Sequence, residues 1–307
     1  MMANISELEA FTPQHSYFIG VDSDGCAIDQ MNIKHYECFT PAYIKAFSLQ
    51  PISTIARETA IFVNLFSATR GINRWASIDR FFDLLKDRPE VVAAVESGAI
   101  TLPEGNDLKA FLASGVPLSF AGIKQWEREY PSAEIRQCIE WGQLVNKLVA
   151  WMVMNTQPFE GVRESFEEIA ASGKADTMVV SSASLEMLHH EWNEHNLAQY
   201  MSAIAGQEMG TKAQQIHAAA KGKYPDNHIL LLGDAPGDGV AAASEGVLWY
   251  PIVPGEEAAS WLRFREEALG RFFAGTYAGE YQQALIAEYS TLLPEKPSWP
   301  TVSGGGM

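Results

Sequence analysis

The hydrophobic pattern changes period twice along the 307 residues. Tyr17-Phe18-Ile19-Gly20-Val21 is a short apolar run without alternation, and it stops abruptly at Asp22-Ser23-Asp24-Gly25. A strand buried on both faces of a parallel sheet reads this way. From Asn32 to Thr156 apolar residues recur at three and four spacings, as in Ile78, Phe81, Phe82 and Leu85, or Leu144, Leu148 and Trp151. Pro89, Gly98, Pro103, Gly105, Gly115, Pro117 and Pro131 break the region into segments. The spacing predicts a mostly helical module of about 125 residues.

After Pro158-Phe159-Glu160-Gly161 helix and strand patterns alternate. Val162 to Ser172 reads as a helix closed by Gly173, and Asp176 to Val180 as a strand ending in Ser181-Ser182. Helices are predicted over Leu185–Asn196 and Lys212–Lys221, and strands over Met201–Ala205, His228–Leu232 and Gly246–Tyr250. Such alternation gives βαβ units and a parallel sheet with helices on both faces. The expected class is therefore α/β, a doubly wound, Rossmann-like parallel-sheet core with a large α-helical cap. The core is expected over 15–31 and 157–255, and the cap over 32–156. Helices over 256–298 are expected to pack on core or cap, and 299–307 to form a flexible tail. With Asp22 before the insertion and the other strands after it, the cap is expected to lie over the strand ends as a lid.

Composition narrows the function without naming it. Hydrophobic residues at 47% and charged residues at 20% leave no reason to expect disorder. A net charge of −16, from 38 acidic against 22 basic residues, repels nucleic acid and anionic membranes, so neither is an expected partner. Cys26, Cys38 and Cys138 have no CxxC spacing, which argues against a disulfide framework or structural zinc and fits a reducing compartment. Glu7 and Glu9 interrupt the first residues, which resemble no signal peptide, and no run of about 18 uncharged apolar residues occurs. A cytoplasmic location is the expectation.

In open α/β sheets ligands bind at the carboxyl ends of the strands. Three predicted strands end there in polar residues: Asp22 and Asp24, then Ser181, then Asp234 and Asp238, with Lys212 between the last two sets. Singly, each has a bland reading as turn, helix cap or solvated charge. In this order they form a four-part signature, DxD, Ser, Lys and Gly-Asp-x-x-x-Asp. With it the chain resembles the haloacid-dehalogenase-like superfamily over residues 15–30 and 160–255, and the insertion occupies the place of a cap between the first and second motifs.

The resemblance implies a phosphatase that uses Mg2+ and an aspartyl-phosphate intermediate. Asp22 is then the nucleophile, since a carboxylate attacking phosphorus splits one hard displacement into two easier ones. Asp24, an acid two residues later, marks the phosphatases and mutases as general acid and base. Asp22 and Asp234 are implied metal ligands with the Asp24 backbone carbonyl, and Asp238 acts through water or holds the site's shape. Ser181, with Ser182 beside it, would bind a phosphoryl oxygen, and Lys212 would offset charge. The helix after Ser184 would aim amides at the anion. Lys221 and Lys223 lie near Lys212, but Lys212 opens a helix just after Met209-Gly210. Many relatives carry Thr or Val where this chain has Cys26, which reads as a small packing residue.

Within the insertion, Arg70 and Arg74 flank Gly71 and Asn73 in an otherwise acidic protein. They read either as solvated turn residues or as contacts to the substrate's anionic groups. Trp75, Trp126, Trp141 and Trp151 read as core. The expected partner is a small phosphorylated metabolite. A phosphotransferase or mutase with the same intermediate, and a non-catalytic binding protein of the same fold, stay open beside the hydrolase.

Overall fold

The computed structural model describes residues 4–302, which divide into two compact units. Among the described residues one comprises 4–30 and Thr156–Leu292; the other comprises Met31–Asn155 and 293–302.

The first unit is built on five parallel strands, β1 (Tyr17–Val21), β2 (Ala175–Val180), β3 (Ala203–Ala205), β4 (Ile229–Gly233) and β5 (Leu248–Pro251), in the order β3-β2-β1-β4-β5. All residues of β2 and β4 are buried, as expected for strands covered on both faces. Gly20 sits where a Cβ would press within 3.1 Å of Val180 and 3.2 Å of Leu231, so the central strand stays slim at its middle. The chain runs outward from β1 through β2 to β3, then returns to place β4 on the other side of β1. That reversal is a topological switch point, where open sheets bind ligands. Helices Val162–Ser172, Leu185–Glu194, Lys212–Ala220 and Pro236–Ser244 connect the later strands. The first closes on Gly173 at φ 59°, a left-handed position that suits glycine.

Helices Glu257–Arg263 and Glu280–Leu292 belong to this same unit. Trp261 Nε1 donates to the Cys26 carbonyl at 2.8 Å, and Tyr289 OH donates to the Asp234 carbonyl at 2.8 Å. Residues near the C-terminus thus brace the loops that follow β1 and β4.

The second unit is helical, with Ser53–Leu65, Arg74–Lys86 and Ala133–Met152 as its longest elements. Its core is aromatic: Tyr43 stacks on Phe81 at 4.3 Å and lies 4.8 Å from Trp141, with Trp75 fully buried beside them. Trp151 departs from expectation. It is 69% exposed, because it falls in the last turn of Ala133–Met152, beyond the packed face. Trp299 is placed 4.5 Å from the Arg88 guanidinium, and Val302 N donates to Asp87 O at 2.8 Å. Of the tail expected at 299–307, residues 303–307 lie outside the described residues. Among the described residues no helix is long and apolar enough to cross a membrane.

Candidate active site

The register of the sheet brings the candidate residues to one edge. Val21 pairs with Val179 on one side and Leu232 on the other, so the strands deliver Asp22, Ser181 and Asp234 at nearly the same level. The main chain then turns sharply: Gly25 takes φ 80°, and its N–H donates to Ile28 O at 2.9 Å. Asp24 lies half-buried in this turn, and its backbone pairs with Ile28. Trp192 Nε1 donates to Ser23 Oγ at 2.9 Å, which pins the turn to helix Leu185–Glu194.

Asp22 is 6% exposed and held at both oxygens. Oδ1 accepts from Ser23 N at 2.8 Å, and Oδ2 pairs with Lys212 Nζ at 2.6 Å. The same ammonium pairs with Asp238 Oδ1 at 2.5 Å, while Asp238 Oδ2 accepts from Ala235 N at 3.0 Å. Gly233 makes this possible, since a Cβ there would meet the Asp238 carboxylate at 2.3 Å. Lys212 opens its helix from the Thr211 cap, whose hydroxyl accepts from Gln214 N while the Gln214 side chain accepts from Thr211 N. That capping box fixes where the lysine's stem begins.

Asp22, Asp234 and Asp238 each offer a carboxylate oxygen within 4.8 Å of the others, and all three are buried. Lys212 pairs with two of these three acids. Burial pushes the Asp22 carboxyl up, Lys212 pulls it back, and Asp238 and Asp234 push it up further, to about 8. Desolvation opposes the charge on Lys212, but Asp22 and Asp238 outweigh it and hold the ammonium above its ordinary range. The donor set is buried and all hard oxygen, which fits a divalent cation. Cys26 is fully buried, and burial first, then the three carboxylates, push its thiol well up. It is a packing residue without thiolate character.

Ser181 is 2% exposed, and its Oγ accepts from Ala183 N at 3.1 Å, leaving the hydroxyl proton to donate. Ser182 beside it is exposed. The helix that follows differs from expectation at its first amide. Leu185 N donates to Glu208 Oε2 at 3.0 Å, because the turn after β3 comes up against the start of this helix. Glu208, Gln215, Trp261 and Tyr289 also support the site, and no motif in the sequence marks them. The one local signal is at Gln215, a polar residue beside Ile216 in an alanine-rich helix.

Arg70 and Arg74 both lie in the helical unit and have partners there. Arg70 is 3% exposed and its guanidinium donates to Leu65 O at 3.1 Å; Arg74 donates to Asn146 Oδ1 at 2.8 Å. Arg70 is thus buried, while Arg74 is half-buried at the start of helix Arg74–Lys86.

No family model matches the chain, and neither does any curated protein. Solved structures similar to it include a haloacid dehalogenase-like family hydrolase from Streptococcus pneumoniae, at 14% identity over 82% of this chain and 91% of that one, with a TM-score of 0.40. Another, described as a predicted phosphoglycolate phosphatase, comes from Haemophilus somnus, at 14% identity over 80% and 88%, with a TM-score of 0.45. A third, described as a haloacid dehalogenase-like hydrolase, comes from Bacteroides fragilis, at 14% identity over 80% and 93%, with a TM-score of 0.47. Likenesses this distant decide nothing about activity. The chemistry has to come from this chain's own side chains.

Proposed function

We propose that the chain is a Mg2+-dependent phosphomonoester hydrolase acting on a small phosphorylated metabolite in the cytoplasm, with Asp22 as its nucleophile. The observation that carries this reading is the buried cluster in which Lys212 bridges Asp22 and Asp238 next to Asp234.

Asp22 attacks phosphorus as the ester P–O bond breaks, and Asp24 gives its proton to the departing alkoxide. The Asp24 carboxylate then takes a proton from water, which attacks the same phosphorus and releases inorganic phosphate and the free Asp22 carboxylate. Ser23 N and Lys212 hold the two oxygens of Asp22, so the nucleophile's plane is set before substrate arrives. Ser181 donates its hydroxyl proton to a phosphoryl oxygen, and Ser182 lies beside it. Asp238, engaged at both oxygens, keeps Lys212 aimed. A Mg2+ held by Asp22, Asp234 and the Asp24 carbonyl would neutralise negative charge shared by nucleophile and phosphate. Arg70 and Arg74 are proposed to contact an anionic group of the substrate; unchanged KM for a true substrate in Arg70→Ala and Arg74→Ala removes that role.

The test is phosphate release from a panel of phosphorylated metabolites and one aryl phosphate, with Mg2+ and with chelator. Metal-dependent release that vanishes in Asp22→Asn supports the reading. Release indifferent to both metal and Asp22 overturns it. Phosphate that appears on an added sugar hydroxyl instead of in water makes the protein a transferase with the same intermediate.

A further inference from the structure

Gln215 lies three residues after Lys212 on the same helix and is fully buried. Its Nε2 faces three main-chain oxygens: Ser181 O at 3.0 Å, Gly206 O at 2.9 Å and Gly210 O at 3.1 Å. These carbonyls belong to three segments, the residue after β2, the residue after β3 and the approach to Lys212. An amide nitrogen has two hydrogens, so the three contacts share them. Gln215 Oε1 is buried with no hydrogen-bond partner. An orphaned interior acceptor is costly, yet turning the amide over would aim an oxygen at three oxygens. The side chain is therefore present for its donors.

The surroundings are built to let these segments meet. A Cβ on Gly206 would lie 2.8 Å from Ala183 O and 2.9 Å from Leu185 N. Gly210 takes φ 93° and ψ −162°, a region essentially restricted to glycine, just before the Thr211 cap. One amide thus ties the loop that presents Ser181 to the turn that launches Lys212.

We infer that Gln215 is the positioning residue of the phosphate-binding side of the site, holding Ser181 in fixed relation to Lys212. It acts through the Ser181 carbonyl and through its own helix. The inference rests on the hydrolase reading for its consequence in turnover, but not for its consequence in structure.

Two variants and two readouts test it. Gln215→Met keeps length and loses the donors; Gln215→Glu keeps shape and turns donors into acceptors. Hydrogen–deuterium exchange is followed over 181–185 and 206–212, with Val162–Ser172 as internal control. Both loops are expected to exchange at least about fivefold faster in either variant, together, with the control helix unchanged. Acceleration of one loop alone, or of neither, overturns the inference. On an aryl phosphate with Mg2+, kcat per folded enzyme is expected to fall about tenfold to a hundredfold. Ser181→Ala is expected to cost less in the Gln215→Met background than in the parent. A purely structural glutamine would lower the folded fraction, leave kcat per folded molecule unchanged and leave the two substitutions additive, and that result also overturns the inference. If the parent shows no metal-dependent release, the hydrolase reading has failed, and the exchange data alone decide Gln215. Should neither variant fold, Gln215→Asn, which keeps the donors one methylene short, is read by the same criteria.

Discussion

One buried network of the helical unit and the acid cluster of the α/β core hold their polar groups differently. Around Tyr43 in the helical unit one buried network is neutral: Tyr43 OH meets Ser77 Oγ at 2.9 Å, Ser77 Oγ donates to Asn64 Oδ1 at 2.7 Å, and Asn64 Nδ2 donates to Ala60 O at 2.8 Å. None of these four residues is charged, and their network locks an aromatic interior. At the strand ends of the core three carboxylates lie close together, and a single ammonium pairs with two of them. Burial of unbalanced charge destabilises a fold and is retained where chemistry needs it. The contrast separates polar burial that specifies structure from polar burial that awaits a ligand.

If that contrast is right, substitutions in the two places fail in different ways. The largest effect belongs to Lys212→Met, expected to lower turnover about a thousandfold by removing the cation from a site of negative charge. Steady-state kinetics at saturating Mg2+ measures it, and a loss below tenfold would blur the comparison. Next comes Ser77→Ala, which strands Tyr43 OH and Asn64 Oδ1. A stability loss of about 2 kcal/mol is expected in urea unfolding, with turnover per folded molecule unchanged.

His35 sharpens the comparison from another side. It is buried on Phe39, and burial, then Arg70, Lys34 and Arg74, push its imidazole down to about 3. Above pH 6.5 it is neutral folded and unfolded, and it costs nothing. Below that, the unfolded chain binds a proton that the folded state refuses, so stability falls as pH falls towards 3. At pH 5.5 the loss is about 1.4 kcal/mol, and His35→Phe is expected to remove that share of the slope in unfolding measured across pH. The smallest effect is on the exposed pair Arg263–Glu288, joined at 2.8 Å. Glu288→Gln is expected to change stability by less than about 1 kcal/mol, and less still in high salt.

The residues of the candidate site were readable where local sequence dictates position. β1 and β4 are apolar runs that end at Asp22 and Asp234, so the side chains that follow them announce the sheet edge. Gly173 ends its helix where the sequence says it must, and Gly210-Thr211 start another at Lys212. What stayed hidden depends on contacts between distant segments. Tyr289 reaches the Asp234 carbonyl across 55 positions and Trp261 reaches Cys26 across 235, and neither aromatic differs in sequence from an ordinary core residue. Gln215 joins loops that no local pattern relates. Trp151 erred the other way: its spacing matches the apolar face, but the helix ends before that face finds anything to cover it.

The central claim is that Asp22 carries the phosphoryl group, and it is tested most directly by trapping. Borohydride reduces an acyl phosphate to the alcohol, so quenching a reaction with it during turnover converts the phosphorylated aspartate to homoserine, which peptide mass spectrometry locates. The account expects homoserine at position 22 alone, only when substrate and Mg2+ are both present. Homoserine at another aspartate, or none during undiminished turnover, would contradict it.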